Sequence, residues 1–251
     1  MRWFLPAAWT AALVAAPLPA TAGPDNTANQ PRGDRAGRAD GHAAGDDMSN
    51  TPRGGGRWDA RDIARIRSRA DQGEAQAMYD LGMAYREGEG VERDLAQAVV
   101  WLRKAAQRGL PEAMNDLGYA YSRGEGVARD YAEALAWYRK AADKGDIIAM
   151  LNIGVAYDLG QGVAIDDREA VKWYRRSAEG GDPTAALYLA GMYEDAEGVA
   201  RDFEEAARWY ARAAESNDPE ERQEALDGLD RVGEGRLPMP VPAAPTDLIV
   251  T

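Results

Sequence analysis

The sequence predicts an all-α solenoid of four 36-residue helix-turn-helix repeats, with a capping helix at each end. Two further observations support this fold class. Within each period, apolar side chains recur every three or four residues, as on one face of a helix. Glycine pairs separate the two helical segments of a period. The period itself is clearest in four tryptophans that are each 36 residues apart: Trp101, Trp137, Trp173 and Trp209.

The first 22 residues have the pattern of a secretory signal peptide. A basic Arg2 precedes an apolar run over residues 3–16, and the segment ends in Ala20-Thr21-Ala22. The alternative, a membrane anchor, needs about 20 apolar residues to cross a bilayer, and this run is shorter. We therefore predict cleavage after Ala22 and a periplasmic or secreted protein, with no membrane span after cleavage.

Residues 23–57 are predicted to be a disordered linker because they contain no aromatic residue and no apolar periodicity. The single histidine of the chain, His42, lies in this linker, and the chain has no cysteine. This composition predicts no disulfide, no cysteine-ligated metal and no multi-histidine metal site, so we expect neither metal nor cofactor. The net charge of −12 disfavours nucleic acid as a partner.

Each repeat is predicted to contain two helices, called here helix A and helix B. In the first repeat, Ala77, Leu81 and Tyr85 follow one helical face of helix A, and Ala98 and Trp101 follow one face of helix B. The period gives repeats at residues 75–110, 111–146, 147–182 and 183–218. Upstream, residues 58–74 resemble a lone helix B and form the predicted N-terminal capping helix. Downstream, residues 219–232 resemble a lone helix A with charges at core positions, and residues 233–251 form a predicted Pro-rich flexible tail, with docking of this tail as an alternative.

Turn and cap residues also follow the period. Helix A is predicted to end at paired glycines such as Gly88 and Gly90, because glycine adopts left-handed backbone angles without a Cβ clash. Glycines in the middle of helix A predict a close approach of helix B. Helix B is predicted to begin at a periodic aspartate that opens a D-x-x-[EQ] capping pattern, and a structural capping role is favoured over catalysis. These aspartates are Asp94, Asp130, Asp166 and Asp202.

The repeats resemble the Sel-one-like repeat (SLR) family of the tetratricopeptide-like helical repeat superfamily. The resemblance rests on the motif A-x-x-x-L-G-x-x-Y-x-x-G-x-G-V-x-x-D-x-x-x-A-x-x-W-x-x-[KR]-A-A-x-x-G, which recurs through the four repeats. It implies a right-handed α-solenoid whose concave surface organises other proteins. The resemblance to secreted bacterial members of this family implies a role in envelope signalling or secretion.

In such a stack, helix A lines the inner curve, and its residues that do not pack against helix B form the candidate groove. Asp116 and Asn152 are expected to hold a peptide backbone. Six apolar residues at this register, Tyr119, Ile148, Leu151, Val155, Leu187 and Tyr188, predict a hydrophobic partner patch. The alternative is that residues such as Leu151 pack against the neighbouring helix. The candidate partner-binding residues are Tyr79, Met83, Asn115, Asp116, Tyr119, Ile148, Leu151, Asn152, Val155, Leu187 and Tyr188.

The predicted function is a non-enzymatic scaffold of the cell envelope that binds a partner protein or peptide in this groove and regulates or assembles an envelope system. One alternative is a cell-wall or sugar binder in which Tyr79, Tyr119 and Tyr188 stack on sugar rings. Another is an acid–base hydrolase that uses a carboxylate pair such as Asp166 and Asp167. Lactamase-like activity has been proposed for cysteine-rich relatives, whereas this chain has no cysteine.

Overall fold

The computed structural model describes residues 57–235, which lie in one compact unit and contain ten α-helices and no strand. The predicted signal peptide, the linker up to residue 56 with His42, and the tail from residue 236 lie outside the described residues. The helices are α1 Ala60–Asp71, α2 Ala75–Glu87, α3 Leu95–Gln107, α4 Pro111–Arg123, α5 Tyr131–Ala142, α6 Ile147–Leu159, α7 Asp167–Glu179, α8 Pro183–Asp195, α9 Phe203–Ala213 and α10 Pro219–Gly235.

The helices pack as successive antiparallel hairpins. Helices α2, α4, α6 and α8 are the A helices of the four repeats, and each packs most extensively against the B helix that follows it. Each B helix also packs against the next A helix along the chain. The lone helix α1 occupies a B position and α10 occupies an A position. The predicted all-α solenoid is confirmed.

The predicted turn and cap roles are confirmed in detail. Gly88 ends α2 in the left-handed conformation with φ 77°, and the corresponding glycines end α4 and α6. Repeat four has Ala196 at this position with φ 64°. The Asp94 carboxylate accepts a hydrogen bond from the N–H of Gln97 at 3.0 Å. The Asp94 N–H donates to the Tyr85 carbonyl at 2.9 Å, so this cap is one-sided where a reciprocal box was expected.

The glycine within helix A leaves room for a side chain of helix B, as predicted. A Cβ on Gly118 would lie 2.7 Å from the ring of Tyr138, and one on Gly154 would lie 2.5 Å from the ring of Tyr174. Both distances are too short for non-bonded carbon atoms. Glycine in the middle of a helix lowers the stability of that helix. Here it allows helix A and helix B to pack closely together.

The second glycine of each turn contacts the preceding repeat. A Cβ on Gly126 would lie 2.1 Å from the carbonyl oxygen of Leu95, the first residue of α3. Gly162 has the same relation to Tyr131, and Gly198 to Asp167. The turn after each helix A thus rests directly on the start of the previous helix B, where only glycine fits.

Candidate functional site

The A helices form one face of the solenoid, called here the A face. Side chains on neighbouring A helices hydrogen-bond directly to each other, at positions 37 residues apart. Such bonds show that neighbouring A helices lie side by side. In stacks of helical hairpins, helices in this position line the inner curve. The four pairs are Tyr79–Asp116, Asn115–Asn152, Thr184–Glu221 and Glu194–Arg231.

Asp116 lies beneath the surface of the A face, with 3% of the residue exposed. It accepts a hydrogen bond from the Tyr79 hydroxyl at 2.9 Å, and the guanidinium of Arg86 lies 3.7 Å away. Burial raises the pKa of Asp116, although Arg86 and Tyr79 both act to lower it. The Asp116 carboxylate is therefore not exposed for the predicted contact with a peptide backbone. Its carboxylate instead fixes the positions of two side chains that reach the surface.

Asn115 and Asn152 form the second polar contact of the A face. The Nδ2 of Asn152 donates to the Oδ1 of Asn115 at 2.9 Å. Asn115 is buried, whereas Asn152 is half-buried. Within the described residues this bond uses one N–H of Asn152, which leaves its other N–H and its carbonyl oxygen for a further partner.

Four of the six residues of the predicted hydrophobic patch are buried. Leu151 is 1% exposed and Tyr188 is 5% exposed, and Val155 and Leu187 are buried with them. All four belong to one core cluster that extends over α6 to α10, in which the rings of Tyr174 and Tyr188 are 5.3 Å apart. The alternative interpretation, packing against the neighbouring helix, is the correct one for these residues. Burial also removes Tyr188 as a stacking platform for a sugar ring.

Met83 is buried too, with 7% of the residue exposed. The predicted residues that remain partly exposed on the A face are Tyr79, Tyr119, Ile148 and Asn152. They lie on α2, α4 and α6, so the accessible part of the candidate site belongs to the first three repeats.

Two residues outside the main candidate set contribute to this surface. Arg86 is half-buried at the register where later repeats have Ser122, Asp158 and Glu194, and this departure from the period is the signal that marks it. Asp80 is also half-buried, and burial raises its pKa. Burial likewise raises the pKa of Asp146, whose carboxylate caps α6.

At the other end of the A face, Glu194 joins three helices. It accepts hydrogen bonds from the Tyr210 hydroxyl at 2.6 Å and from the Arg231 guanidinium at 3.1 Å. Burial acts to raise the pKa of Glu194, but the bonds from Arg231 and Tyr210 outweigh it, so this pKa is lower than usual. The cluster anchors α10 to α8 and α9.

Of the two carboxylates suggested for hydrolysis, that of Asp166 caps a helix. Asp166 accepts hydrogen bonds from the N–H groups of Arg168 and Glu169, both at 3.1 Å, at the start of α7. Over residues 57–235, no group of three or more His, Cys, Asp or Glu side chains is arranged to hold a metal ion. In the same range, no helix is both long and apolar enough to cross a bilayer.

Comparison with known proteins gives one family. The model of the Sel1 repeat matches residues 75–110, 111–146, 147–182 and 183–218. The chain is similar to a Sel1 repeat protein from Oxalobacter formigenes, with 37% identity, a TM-score of 0.62, and coverage of 65% of this chain and 68% of that one. No curated protein matches it.

A second similar structure is c5321, a protective antigen present in uropathogenic Escherichia coli strains and displaying an SLR fold. It is 32% identical with a TM-score of 0.63, and the match covers 70% of this chain. The chain spans 41% of the length of c5321.

Proposed function

Because this chain belongs to the Sel1 repeat family, we propose that it is a non-enzymatic scaffold that binds a protein or peptide on the concave A face. Sel1 repeat proteins are generally protein-interaction scaffolds. The predicted signal peptide supports a role in the periplasm or outside the cell, in which the scaffold regulates or assembles an envelope system.

The observation that carries the proposal is the Asn115–Asn152 pair. An extended peptide presents both N–H and C=O groups, and one carboxamide side chain bonds to both kinds. Asn152 is half-buried, and its bond to Asn115 holds the carboxamide in place while leaving a donor and an acceptor available. Tyr119 and Ile148, both partly exposed, supply apolar contact area on the same face.

The polar contacts also limit the entropy lost on binding. Tyr79 is held through its hydroxyl by Asp116, and Arg86 lies beside the same carboxylate. Side chains that are already ordered in the free protein lose less rotamer freedom when a partner arrives. The first three repeats therefore present a surface that is largely set before binding.

Charge indicates the kind of partner. The three helices that carry the accessible surface, α2, α4 and α6, contain 5 Asp and Glu residues and 2 Lys and Arg residues, a net charge of −3. A partner segment that carries Lys or Arg is attracted to this face, whereas an acidic segment is repelled.

A pull-down tests the proposal. The complete chain and an Asn152→Ala/Tyr119→Ala double variant are used to retain proteins from an envelope fraction, with quantification by mass spectrometry. The matched control is Arg168→Ala/Lys172→Ala, two exposed positions on α7. We expect at least a tenfold loss of one retained protein with the A-face variant and none with the control. Equal retention by all three baits, with unchanged circular dichroism, would contradict the proposal.

The envelope location has a separate test. We expect the protein recovered from the periplasm or the medium to begin at Gly23, as determined by mass spectrometry of its N-terminal peptide. Recovery only from the cytoplasm with Met1 retained would place the scaffold elsewhere and leave the A-face proposal to be judged by the pull-down alone.

A further inference from the structure

The two helical layers of the solenoid have opposite charge. The B-type helices α1, α3, α5, α7 and α9 contain 14 Lys and Arg residues and 8 Asp and Glu residues, a net charge of +6. The five aspartates that cap the N-termini of these helices bring the layer to +1, so its positive charge lies away from the capped ends. This basic layer belongs to a chain whose overall charge is −12. The B layer is therefore a second surface with different binding chemistry from the A face.

Eight cations of the B layer form two rows of four, called here the basic ridge. The helices α3, α5 and α7 each contribute one member to each row, α1 contributes only to the first row and α9 only to the second. In the first row, each arginine donates a hydrogen bond to the hydroxyl of a tyrosine 18 residues further along the chain, on the next A helix. In the second row, each cation lies over the indole ring of the tryptophan three residues earlier. The rows are Arg67, Arg103, Arg139 and Arg175, and Lys104, Lys140, Arg176 and Arg212.

The partners of the basic ridge are neutral, so its charge is not cancelled. Lys104 lies 3.6 Å from the ring centroid of Trp101, and Lys140 lies 3.7 Å from that of Trp137. Within residues 57–235, none of the eight ridge cations has a carboxylate within 4.0 Å. Lys172, on the same layer, is instead paired with Glu169.

Polar notches lie beside the ridge. One, of about 360 Å³, is bounded by α1 and α3 and lined by Trp101, Lys104, Gln107 and Arg108 among others. A second, of about 250 Å³, occupies the equivalent place three repeats later and includes Arg212 in its lining. Each notch combines hydrogen-bonding side chains with a cation of the ridge. Carboxylates also line the notches, Asp71 in the first and Asp182 and Glu215 in the second.

We infer that the basic ridge binds an acidic polysaccharide, a linear polymer with carboxylates at regular intervals. Cations that recur once per repeat match anions that recur along a chain, and side-chain amides and cations in the notches suit sugar hydroxyl and carboxylate groups. This surface is distinct from the A face, so the inference does not depend on the proposed scaffold role.

Two other anionic partners fit less well. Single-stranded nucleic acid needs open aromatic faces for base stacking, but Lys104 and Lys140 cover ring faces of the ridge tryptophans. An anionic bilayer is bound firmly when apolar side chains insert beside the charges. On the described B helices, Val100 is the one large apolar side chain that is exposed.

The test uses the complete chain with polygalacturonate oligomers as the probe and neutral dextran of equal length as the reference. Binding is measured by isothermal titration calorimetry at about 0.1 M salt, where the Debye length of about 10 Å limits the opposing field of the acidic A layer. We expect polygalacturonate to bind and dextran not to bind. Equal binding of the two polymers, or no binding of polygalacturonate, overturns the inference.

Matched variants locate the site. Lys104→Gln/Lys140→Gln removes two ridge cations, and Lys172→Gln/Arg208→Gln removes two cations that are already paired with glutamates. We expect the first pair to weaken binding at least tenfold and the second pair less than twofold. Lys104→Arg/Lys140→Arg restores the charge and is expected to restore binding. An equal loss in both Gln variants would mean that only net charge matters and would overturn the inference.

Competition separates the partners. Single-stranded DNA of equal charge and vesicles containing anionic lipid are each added to the polygalacturonate complex at 0.1 M salt. If DNA or vesicles displace polygalacturonate when their concentration of charged groups is lower than that of polygalacturonate, the choice of a polysaccharide is overturned. The Asn152→Ala/Tyr119→Ala variant is expected to bind polygalacturonate normally, which keeps this result independent of the A-face experiment.

Discussion

The two halves of the A face use the same register for different chemistry. Between α2 and α4, Tyr79 hydrogen-bonds to Asp116, and two repeats later the equivalent positions are Leu151 and Tyr188, which lie in an apolar core. A polar contact of this kind adds about 1 kcal/mol, whereas burying a leucine side chain adds about 2 kcal/mol. The repeat therefore determines which positions meet. The residue types at these positions divide the A face into an accessible half, which includes Tyr79 and Tyr119, and a stabilising half, which includes Leu151 and Tyr188.

The largest expected effect comes from placing a charge in the stabilising half. Leu151→Asp is expected to destabilise the protein by about 4 kcal/mol or more, because an unpaired carboxylate replaces a fully buried leucine. The neighbouring residue Asn152 is half-buried, so Asn152→Asp is expected to lower the free energy of unfolding by less than about 1 kcal/mol. Urea unfolding of both variants measures the difference. Similar midpoints for the two would show that the α6–α8 contact is open in solution.

The next effect tests the close approach of helices within a repeat. Gly154→Ala is expected to cost about 2 kcal/mol, because its Cβ would lie 2.5 Å from the Tyr174 ring and overpacking outweighs the gain in helix propensity. Gly82→Ala is the milder control, since the nearest atom is a Leu102 carbon at 3.0 Å. Thermal unfolding with matched scan rates separates them. A stabilised Gly154→Ala would mean that α6 and α7 are further apart than described.

Replacing a polar pair of the accessible half with apolar side chains is expected to change the free energy of unfolding less. Asn115→Leu/Asn152→Leu replaces both members of a polar pair with apolar side chains, a change that is close to neutral, within about 1 kcal/mol. Asn115→Leu alone is expected to destabilise the protein more than the double variant, because it removes the acceptor of the Asn152 hydrogen bond. The double variant is expected to lose the A-face partner while remaining folded. Retained binding at wild-type affinity would remove the carboxamide pair from the proposed site.

The smallest effect is a difference in pH dependence between the two ends of the A face. Burial raises the pKa of Asp116 above its ordinary value of 3.8, so the folded protein holds this proton more tightly than the unfolded chain. The resulting stabilisation is complete below pH 3.8 and is lost as the pH rises through the folded-state pKa. Asp116→Asn is therefore expected to gain stability relative to wild type between pH 3.5 and about 7.

Glu194 is the control with the opposite sign. Its pKa is lower than the ordinary value of 4.5, so its stabilisation is present above pH 4.5 and is lost as the pH falls through the folded-state pKa. Glu194→Gln is thus expected to lose stability relative to wild type over the same rise in pH. Urea unfolding at several pH values gives both slopes. Slopes of the same sign would contradict the assigned environments of the two carboxylates.

The fold was predictable because its determinants are local. Left-handed turn glycines such as Gly88, cap residues such as Asp94, and the mid-helix Gly118 each act within one repeat, and their period is visible in the sequence. The candidate site was less predictable because it depends on contacts between repeats. A helical wheel places Leu151 on the inner side of α6, but only the structure shows that it lies in one buried apolar cluster with Tyr188 of α8.

Charge interactions were missed for the same reason. Asp116 was expected to face a partner, and its burial follows from the reach of Tyr79 and Arg86 across from α2. Arg86 departs from the period, because later repeats have Ser122, Asp158 and Glu194 at its register. Its contact with Asp116, 30 positions away, is visible only in the structure. Long side chains that cross between repeats therefore decide which groove residues remain accessible.

The turn glycine that rests on the previous helix B also restricts how such a chain lengthens during evolution. Since Gly126 has no space for even a methyl group against Leu95, an inserted residue at this turn would push consecutive repeats apart. Small insertions in this turn are therefore expected to break the contact between repeats. Growth or shrinkage by a whole duplicated or deleted unit of 36 residues preserves every such contact, and each added unit extends both the A face and the basic ridge by one step.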